Sequence, residues 1–417
     1  MHLLLIHQAF ASPDEPGGTR HYELARHLTE LGHRVTIVAS RLSYLTGKSV
    51  VASREVVGRQ GINGLRILRV YTFPSLHRSF VWRIVSFLTF MVTSVFGGLR
   101  AGPVDLVMGT SPPIFQAVSA WLVSVARRRP FLLEVRDLWP EFAIDLGVLR
   151  NKILIALSRR LEAFLYARAR GILVNSPAYC DYLVARGIPE AKISLIPNGA
   201  DPDMFNVKTG GDVIREEFGL NGQFVVSYTG ALGLANDIPT ILRAADRVRD
   251  DPRIHFLLVG DGKERTRLES LAARMKLSNV TFAGSRPKVE MAEVLAASDA
   301  CLATLKDIPM FRTTYPNKVF DYMAASRPTI LAIDGVIRRV MEAAQGGIVV
   351  PPGDDAAIAE AVRCLSKNPA QCEQMGRAAR AYAVEHFNRH KQAAEFVELL
   401  TALVSERVRN VPVSHLA

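Results

Sequence analysis

Lys318 and Asp321 are the two residues whose types and spacing first suggest chemistry. They sit in the segment YPNKVFDYMAASRP (315–328), where Pro316 and Asn317 form a turn directly before Lys318. Val319, Phe320, Tyr322 and Met323 then recur as the apolar face of a helix. A helix N-terminus presents unpaired N–H groups and about half a positive charge, so it attracts a phosphate. Lys318 adds a full charge there, with Asn317 beside it. Asp321, three residues on, lies on nearly the same face and could accept paired hydrogen bonds from sugar hydroxyls. Together they suit a nucleotide-sugar, one group for the diphosphate and one for the ribose. Taken alone, the same residues also describe a capped helix with an exposed i,i+3 ion pair.

A second constellation closes the apolar run Phe131–Val135, where Arg136-Asp137 precede a Trp139-Pro140 turn. Charged groups at the C-terminal end of a parallel strand lie where open α/β sheets bind ligands. Arg136 could face a phosphate, and Asp137 could orient or deprotonate an acceptor hydroxyl. Alternatively the two pair with each other or cap the next helix. Other chemistries find little support. There is no GxGxxG, which disfavours a nicotinamide or flavin cofactor. Cys180, Cys301, Cys364 and Cys372 have no metal-ligand or disulfide spacing. The one DxD, Asp201 and Asp203, falls in a turn. No cofactor and no metal are therefore expected.

The elements that must hold these groups form two series. Residues 2–9 read as a buried parallel strand, followed by the loop Pro16-Gly17-Gly18, a helix ending at Gly32, and a strand over Val35–Ala39. This is the βαβ opening of a Rossmann-type domain. Residues 171–175 and 193–196 close its sheet, and the turn at 197–201 is a hinge. A second series follows, with strands at 224–230 and 254–262 running into Gly230, Gly233, Gly260 and Gly262, then strands at 279–287, 300–305, 329–333 and 347–351. The fold class is α/β, with two Rossmann-like domains facing across a cleft. The expected divisions are 1–196, an acceptor-binding and membrane-facing domain; 197–385, a nucleotide-sugar-binding domain; and 386–417, a helical segment bracing the two.

Charge separates the halves. The net formal charge is +11, with 24 basic against 13 acidic residues in 1–196 and 27 against 27 in 197–417. The excess in the first half predicts a polyanionic partner there. Residues 150–170 form a basic amphipathic helix, with Arg150, Lys152, Arg159, Arg160, Arg168 and Arg170 beside Ile153, Leu154, Leu157, Leu161, Phe164 and Leu165. Such helices rest on anionic lipid as readily as they pack on a core. Arg127-Arg128-Arg129 extends the same surface. The uncharged run Ile84–Leu99 is 16 residues, short of the roughly 20 that cross a bilayer, so it is expected in the core or in the headgroup plane. Exposed aromatics are not interleaved with a basic stripe, so nucleic acid is not expected. The N-terminus has no cleavage-site pattern. A cytoplasmic protein, peripheral on the inner face of the cell membrane, is the expectation.

The motifs PGGTRHYELARHLTELGHRVTIV, IPNGADPDMF, YTGALG, LLVGDG, VTFAG, PNKVFDYMAASRP and GGIVVPPGD occur in register along nearly the whole chain. This set resembles the retaining family 4 glycosyltransferases of the GT-B fold, and RDLWPE is similar to the WbuB-like bacterial polysaccharide enzymes among them. The resemblance implies a C-terminal domain that grips a nucleotide-diphosphate sugar and an N-terminal domain that receives the acceptor. Lys318 would then bind the diphosphate, Asp321 the ribose, and Gly230 would let backbone approach the donor. Arg286 would border the base, Gly260 would shape the neighbouring loop, and Gly17 and Gly18 would close on the donor. Four departures stand out: in the Glu-x7-Glu pair of many members the first position is Thr313 and the second Asp321, one methylene shorter; Arg136 stands where many have a His; and the glycine loop, GALGLAND, lacks the usual Arg and Lys. The implied activity is metal-independent transfer with retention to a saccharide, lipid-diphosphate-linked, for cell-surface polysaccharide. The alternatives are a nucleotide-sugar epimerase of the same shape and a non-catalytic membrane-associated scaffold.

Overall fold

The computed structural model describes residues 1–50, 64–74, 80–205 and 210–405. They form two compact units. The first comprises Met1–Ser12, Thr19–Pro197 and the chain from His390 on; the second comprises Pro13–Gly18 and Asn198–Arg389.

The first unit holds a seven-stranded, wholly parallel sheet: β1 (His2–Ile6), β2 (Arg34–Ser40), β3 (Leu65–Val70), β4 (Leu106–Ser111), β5 (Phe131–Val135), β6 (Gly171–Val174) and β7 (Ile193–Leu195), in the order β3-β2-β1-β4-β5-β6-β7. The order reverses between β1 and β4, so the C-terminal ends of β1, β4 and β5 border the crevice where such sheets bind ligands. The sequence marks β1, β2, β5, β6 and β7 but not β3 or β4. β3, LRILRV, carries two arginines, yet Arg69 is buried because its guanidinium donates to the carbonyls of Phe10 and Ser40 at 3.3 and 3.0 Å. β4 carries Gly109, and a Cβ there would lie 2.5 Å from that of Ala120. That glycine lets the helix Ile114–Arg127 pack directly on the strand.

The second unit holds six parallel strands: β8 (Phe224–Thr229), β9 (Ile254–Val259), β10 (Val280–Gly284), β11 (Ala300–Thr304), β12 (Thr329–Ala332) and β13 (Gly347–Val349), ordered β10-β9-β8-β11-β12-β13. All six read as apolar runs; β8, β9, β11 and β12 are almost wholly buried, and strands buried on both faces have no polar alternation.

The C-terminal stretch, expected to brace the two domains, divides between the units. The chain through Arg389 belongs to the second unit and from His390 to the first. On the helix Arg389–Val404, Ala393, Phe396 and Leu400 are buried with Leu3, Leu5 and Ile37. That apolar stripe is part of the first unit's core. Residues 406–417 lie outside the described residues.

The apolar segment expected in the core or the headgroup plane forms the helix Phe80–Leu99, whose stretch Val81–Leu99 has a mean hydropathy of 1.5. A Cβ on Gly97 would stand 2.9 Å from Val70, and one on Gly98 2.9 Å from Val123. One side of this helix is thereby seated on β3 and on the helix Ile114–Arg127. The other side exposes Val81, Val92, Phe96 and Leu99.

Candidate active site

In the second unit, helix Asn317–Ala324 is fixed by its own apolar face, with Val319, Phe320, Tyr322 and Met323 all buried. The Tyr322 hydroxyl accepts the Thr229 N–H at 2.8 Å, tying the helix to the end of β8. The chain enters the helix through Tyr315, whose carbonyl accepts from Asn198 Nδ2 at 2.7 Å and whose ring packs edge-on against Phe320 and Phe387. Pro316 is the residue preceding the helix and no side chain caps it. Asn317 is therefore not the cap; its Oδ1 is buried without a partner.

Lys318 turns inward from this helix mouth. Its Nζ lies 3.8 Å from the centroid of Tyr228 and donates to Asn236 Oδ1 at 3.4 Å. Burial pulls its pKa down to about 7. Among the described residues it has no carboxylate partner within 4.0 Å. Gly230 has φ +135°, and a Cβ there would stand 2.8 Å from Lys318 Nζ; one on Gly260, φ +154°, would collide with the Gly230 carbonyl. Both glycines are thus required by close approach around the ammonium. The helix mouth, the ammonium and these loops at the C-terminal ends of β8 and β9 make an anion cradle.

Asp321 is paired rather than open: its Oδ2 accepts from Lys288 Nζ at 2.6 Å, and Lys288 is buried with its ammonium 5.2 Å from the Phe205 ring centroid. Arg286 is held by Glu217 and by Glu290 at 3.2 Å, with Phe218 under its guanidinium. Thr313 donates to the Met310 carbonyl at 2.6 Å. The segment carrying Gly17 and Gly18 groups with this unit; Pro13 accepts the Val289 N–H at 3.2 Å. Gly17 has φ +146°, which favours glycine, whereas a side chain at Gly18 would meet nothing within 4 Å.

In the first unit, Arg136 and Asp137 stand at the C-terminal end of β5. They do not make the mutual ion pair that the sequence left open. Arg136 Nη1 donates instead to His7 Nε2 at 3.2 Å. Arginine has only donors, so His7 is the Nδ1–H tautomer, and Nδ1 donates to Thr110 Oγ1 at 2.9 Å. Burial, with the charges of His21 and Arg136, keeps the His7 pKa well below its ordinary value. Glu134, on the same strand, is taken by Arg20 at 3.2 Å and His21 at 2.5 Å. Its burial opposes ionisation, but those partners hold it charged. Among the described residues Arg136 makes no ion pair within 4.0 Å, and its Nε is buried without a partner. Burial raises the Asp137 pKa to about 6, against the pull of Arg136. Tyr228, Asn236, Lys288 and His7 escaped the sequence reading. Tyr228 and Asn236 lay within the segments YTGALG and GALGLAND.

Two parallel α/β units with charged groups at the C-terminal ends of their strands are the architecture of the GT-B fold. The comparisons agree. Residues 17–199 match the model described as "Glycosyl transferase 4-like domain" and residues 223–368 that described as "Glycosyl transferases group 1". The chain belongs to the family 4 glycosyltransferases. The putative colanic acid biosynthesis glycosyl transferase WcaI of Escherichia coli K12 is 22% identical over 291 residues, 67% of this chain and 70% of that one. Sucrose-phosphate synthase from Thermosynechococcus elongatus superposes with a TM-score of 0.77 at 19% identity, covering 97% of this chain and 99% of that one. Anabaena HepE in complex with UDP-glucose gives 0.71 at 17%, covering 96% and 100%. The transferase reading fits this family; the epimerase and scaffold alternatives do not.

Proposed function

We propose that the protein moves a sugar, with retention and without a metal, from a nucleoside-diphosphate sugar to a lipid-diphosphate-linked saccharide in cell-surface polysaccharide synthesis. One observation carries this reading: the Lys318 ammonium stands at a helix mouth without a carboxylate to neutralise it. The bond from sugar C1 to the diphosphate oxygen breaks while the acceptor oxygen bonds to C1 on the same face. The acceptor's proton passes to the departing phosphate. Lys318 and the helix N–H groups balance the charge developing on that phosphate, the role a metal has elsewhere. Asp321, whose Oδ2 accepts from Lys288, takes the ribose hydroxyls. Asp137 orients the acceptor hydroxyl beside Arg136. Support for the donor class comes from the UDP-glucose complex of HepE, and support for the pathway from the name of the colanic acid enzyme. The exposed apolar residues of Phe80–Leu99, and Ile153, Leu154 and Leu157 beside basic side chains, support a seat on anionic lipid.

The test is nucleotide release from a panel of nucleotide sugars, with and without membrane lipid extract and with and without chelator, followed by NMR of the product anomer. Release that needs the extract and survives chelation, with Lys318→Ala roughly 100-fold slower, is the expected result. An inverted product, or a rate unchanged by Lys318→Ala in a folded protein, refutes the mechanism.

A further inference from the structure

Asn175 directly follows β6 and is 5% exposed, and its Oδ1 is buried without a partner among the described residues. Buried amides are almost always hydrogen-bonded, so this one calls for a reason. The ordinary use of asparagine before a helix is to cap it. Here Ser176 is the residue preceding the helix Pro177–Ala185, and Asn175 Oδ1 accepts no N–H from that helix.

Strand register sets this amide beside Arg136. Val135 of β5 pairs with Ser111 of β4 and with Val174 of β6, and the Arg136 N–H continues the ladder to the Ser111 carbonyl at 2.8 Å. Arg136 and Asn175 are thus the next cross-strand neighbours, roughly 5 Å apart at Cα. Side chains alternate along a strand, so both belong to the face that carries Glu134 and Leu173, two residues back. The helix Arg20–Glu30 covers that face: Glu134 takes Arg20 and His21, and Leu173 shares a core with Leu24.

His7 occupies Nη1 of Arg136, which leaves the side-on edge formed by Nε and Nη2. Arg159 shows that edge in use, donating to both oxygens of Glu141 at 2.9 Å. On Arg136 its Nε is buried without a partner. A phosphate is the first candidate for such a fork. However, the guanidinium charge already lies close enough to Glu134 and Asp137 to favour the ionised form of each, and a further anion would be repelled by them. What the two side chains lack is a hydrogen-bond acceptor for Nε and, next to it, a donor for Oδ1. Adjacent hydroxyls on a sugar ring supply both, because each hydroxyl can accept and donate.

We propose, on the reading that the acceptor is a saccharide, that Asn175 and the side-on edge of Arg136 read a vicinal diol on it, beside the hydroxyl that Asp137 orients. One diol oxygen accepts from Arg136 Nε, and the neighbouring hydroxyl donates to Asn175 Oδ1. Asn175 is thereby a specificity-determining residue for the acceptor.

Transfer is measured on the full chain with the nucleotide sugar that supports it, at saturating donor and with the membrane lipid extract varied. Asn175→Leu is close to isosteric and removes both polar ends of the amide. It is expected to raise the half-saturating extract concentration about tenfold or more, with donor KM unchanged. The Tm is expected to be kept or raised, since an amide without a partner contributes no bond to the fold. Asn175→Ala, which cannot clash, is expected to shift half-saturation the same way, so a Leu variant that does not fold leaves the test standing. Inorganic phosphate at saturating donor is expected not to compete with the extract. Half-saturation unchanged in the folded variants, a donor KM that rises in step with it, or competition by phosphate that the substitutions abolish overturns the diol site. Parent turnover that needs no extract defeats the saccharide-acceptor reading itself, and the diol site with it.

Discussion

The ammonium of Lys318 occupies the place where a side chain on Gly230 would begin, 2.8 Å from an added Cβ. Glycine and lysine thus form one device: the loop after β8 can pass this close to the helix mouth only without a side chain. Its backbone, at φ +135°, is also open mainly to glycine. Gly230→Ala should displace the ammonium by an ångström or so and lower kcat/KM for the donor by roughly 100-fold. Steady-state kinetics on a variant with an unchanged circular dichroism spectrum checks this.

Lys318 titrates near pH 7 because burial disfavours its charge. Raising the pH through 7 removes the cation, so kcat/KM for the donor should fall about tenfold per unit above that value. Lys318→Arg should push the limb upward. Stability has the opposite slope. Between about 7 and the ordinary lysine value the unfolded chain binds more protons, so the folded state gains as pH rises. Lys318→Met should remove that slope and raise the Tm near neutral pH, measured by scanning calorimetry, while donor turnover is lost.

Asp321 and Lys288 share a pair with side chains 15% and 6% exposed. Asp321→Asn leaves a buried cation and should cost about 3 kcal/mol. Adding Lys288→Met should restore most of the stability without restoring donor affinity, if the carboxylate also serves the ribose. Denaturant melts and donor KM values on the three variants form the cycle. A KM recovered together with stability assigns Asp321 a structural role only.

Asp137 is half-buried and has its pKa raised to about 6 by burial, with Arg136 opposing. Below that value it is protonated and offers the acceptor hydroxyl only a neutral, weaker hydrogen-bond acceptor, so turnover should decline as pH falls through 6. Asp137→Asn should flatten this acid limb and lower kcat by roughly 10- to 1000-fold. It should also be more stable than the parent at pH 7, because a raised carboxylate pKa means folding loses stability as pH rises through 4 to 6. A pH–rate profile of both proteins decides.

Much of this protein was legible in the chain itself. Apolar runs ending in glycine or charge gave eleven of the thirteen strands, most of them buried on both faces and so without polar alternation. The YPNKVFDY segment specified its helix, and hence the cation at its mouth, by local spacing alone. Tertiary structure decided the rest. β3 and β4 carry arginine and glycine, so their burial depends on carbonyls and a helix brought from elsewhere in the chain. His7 meets Arg136, and Lys288 meets Asp321, across 129 and 33 residues. The last helix finds its core next to the first strand. Local propensity acts within a few residues, while electrostatic pairing and core closure act through space. Which charges are cancelled, and which are left to meet a ligand, was therefore settled only on folding.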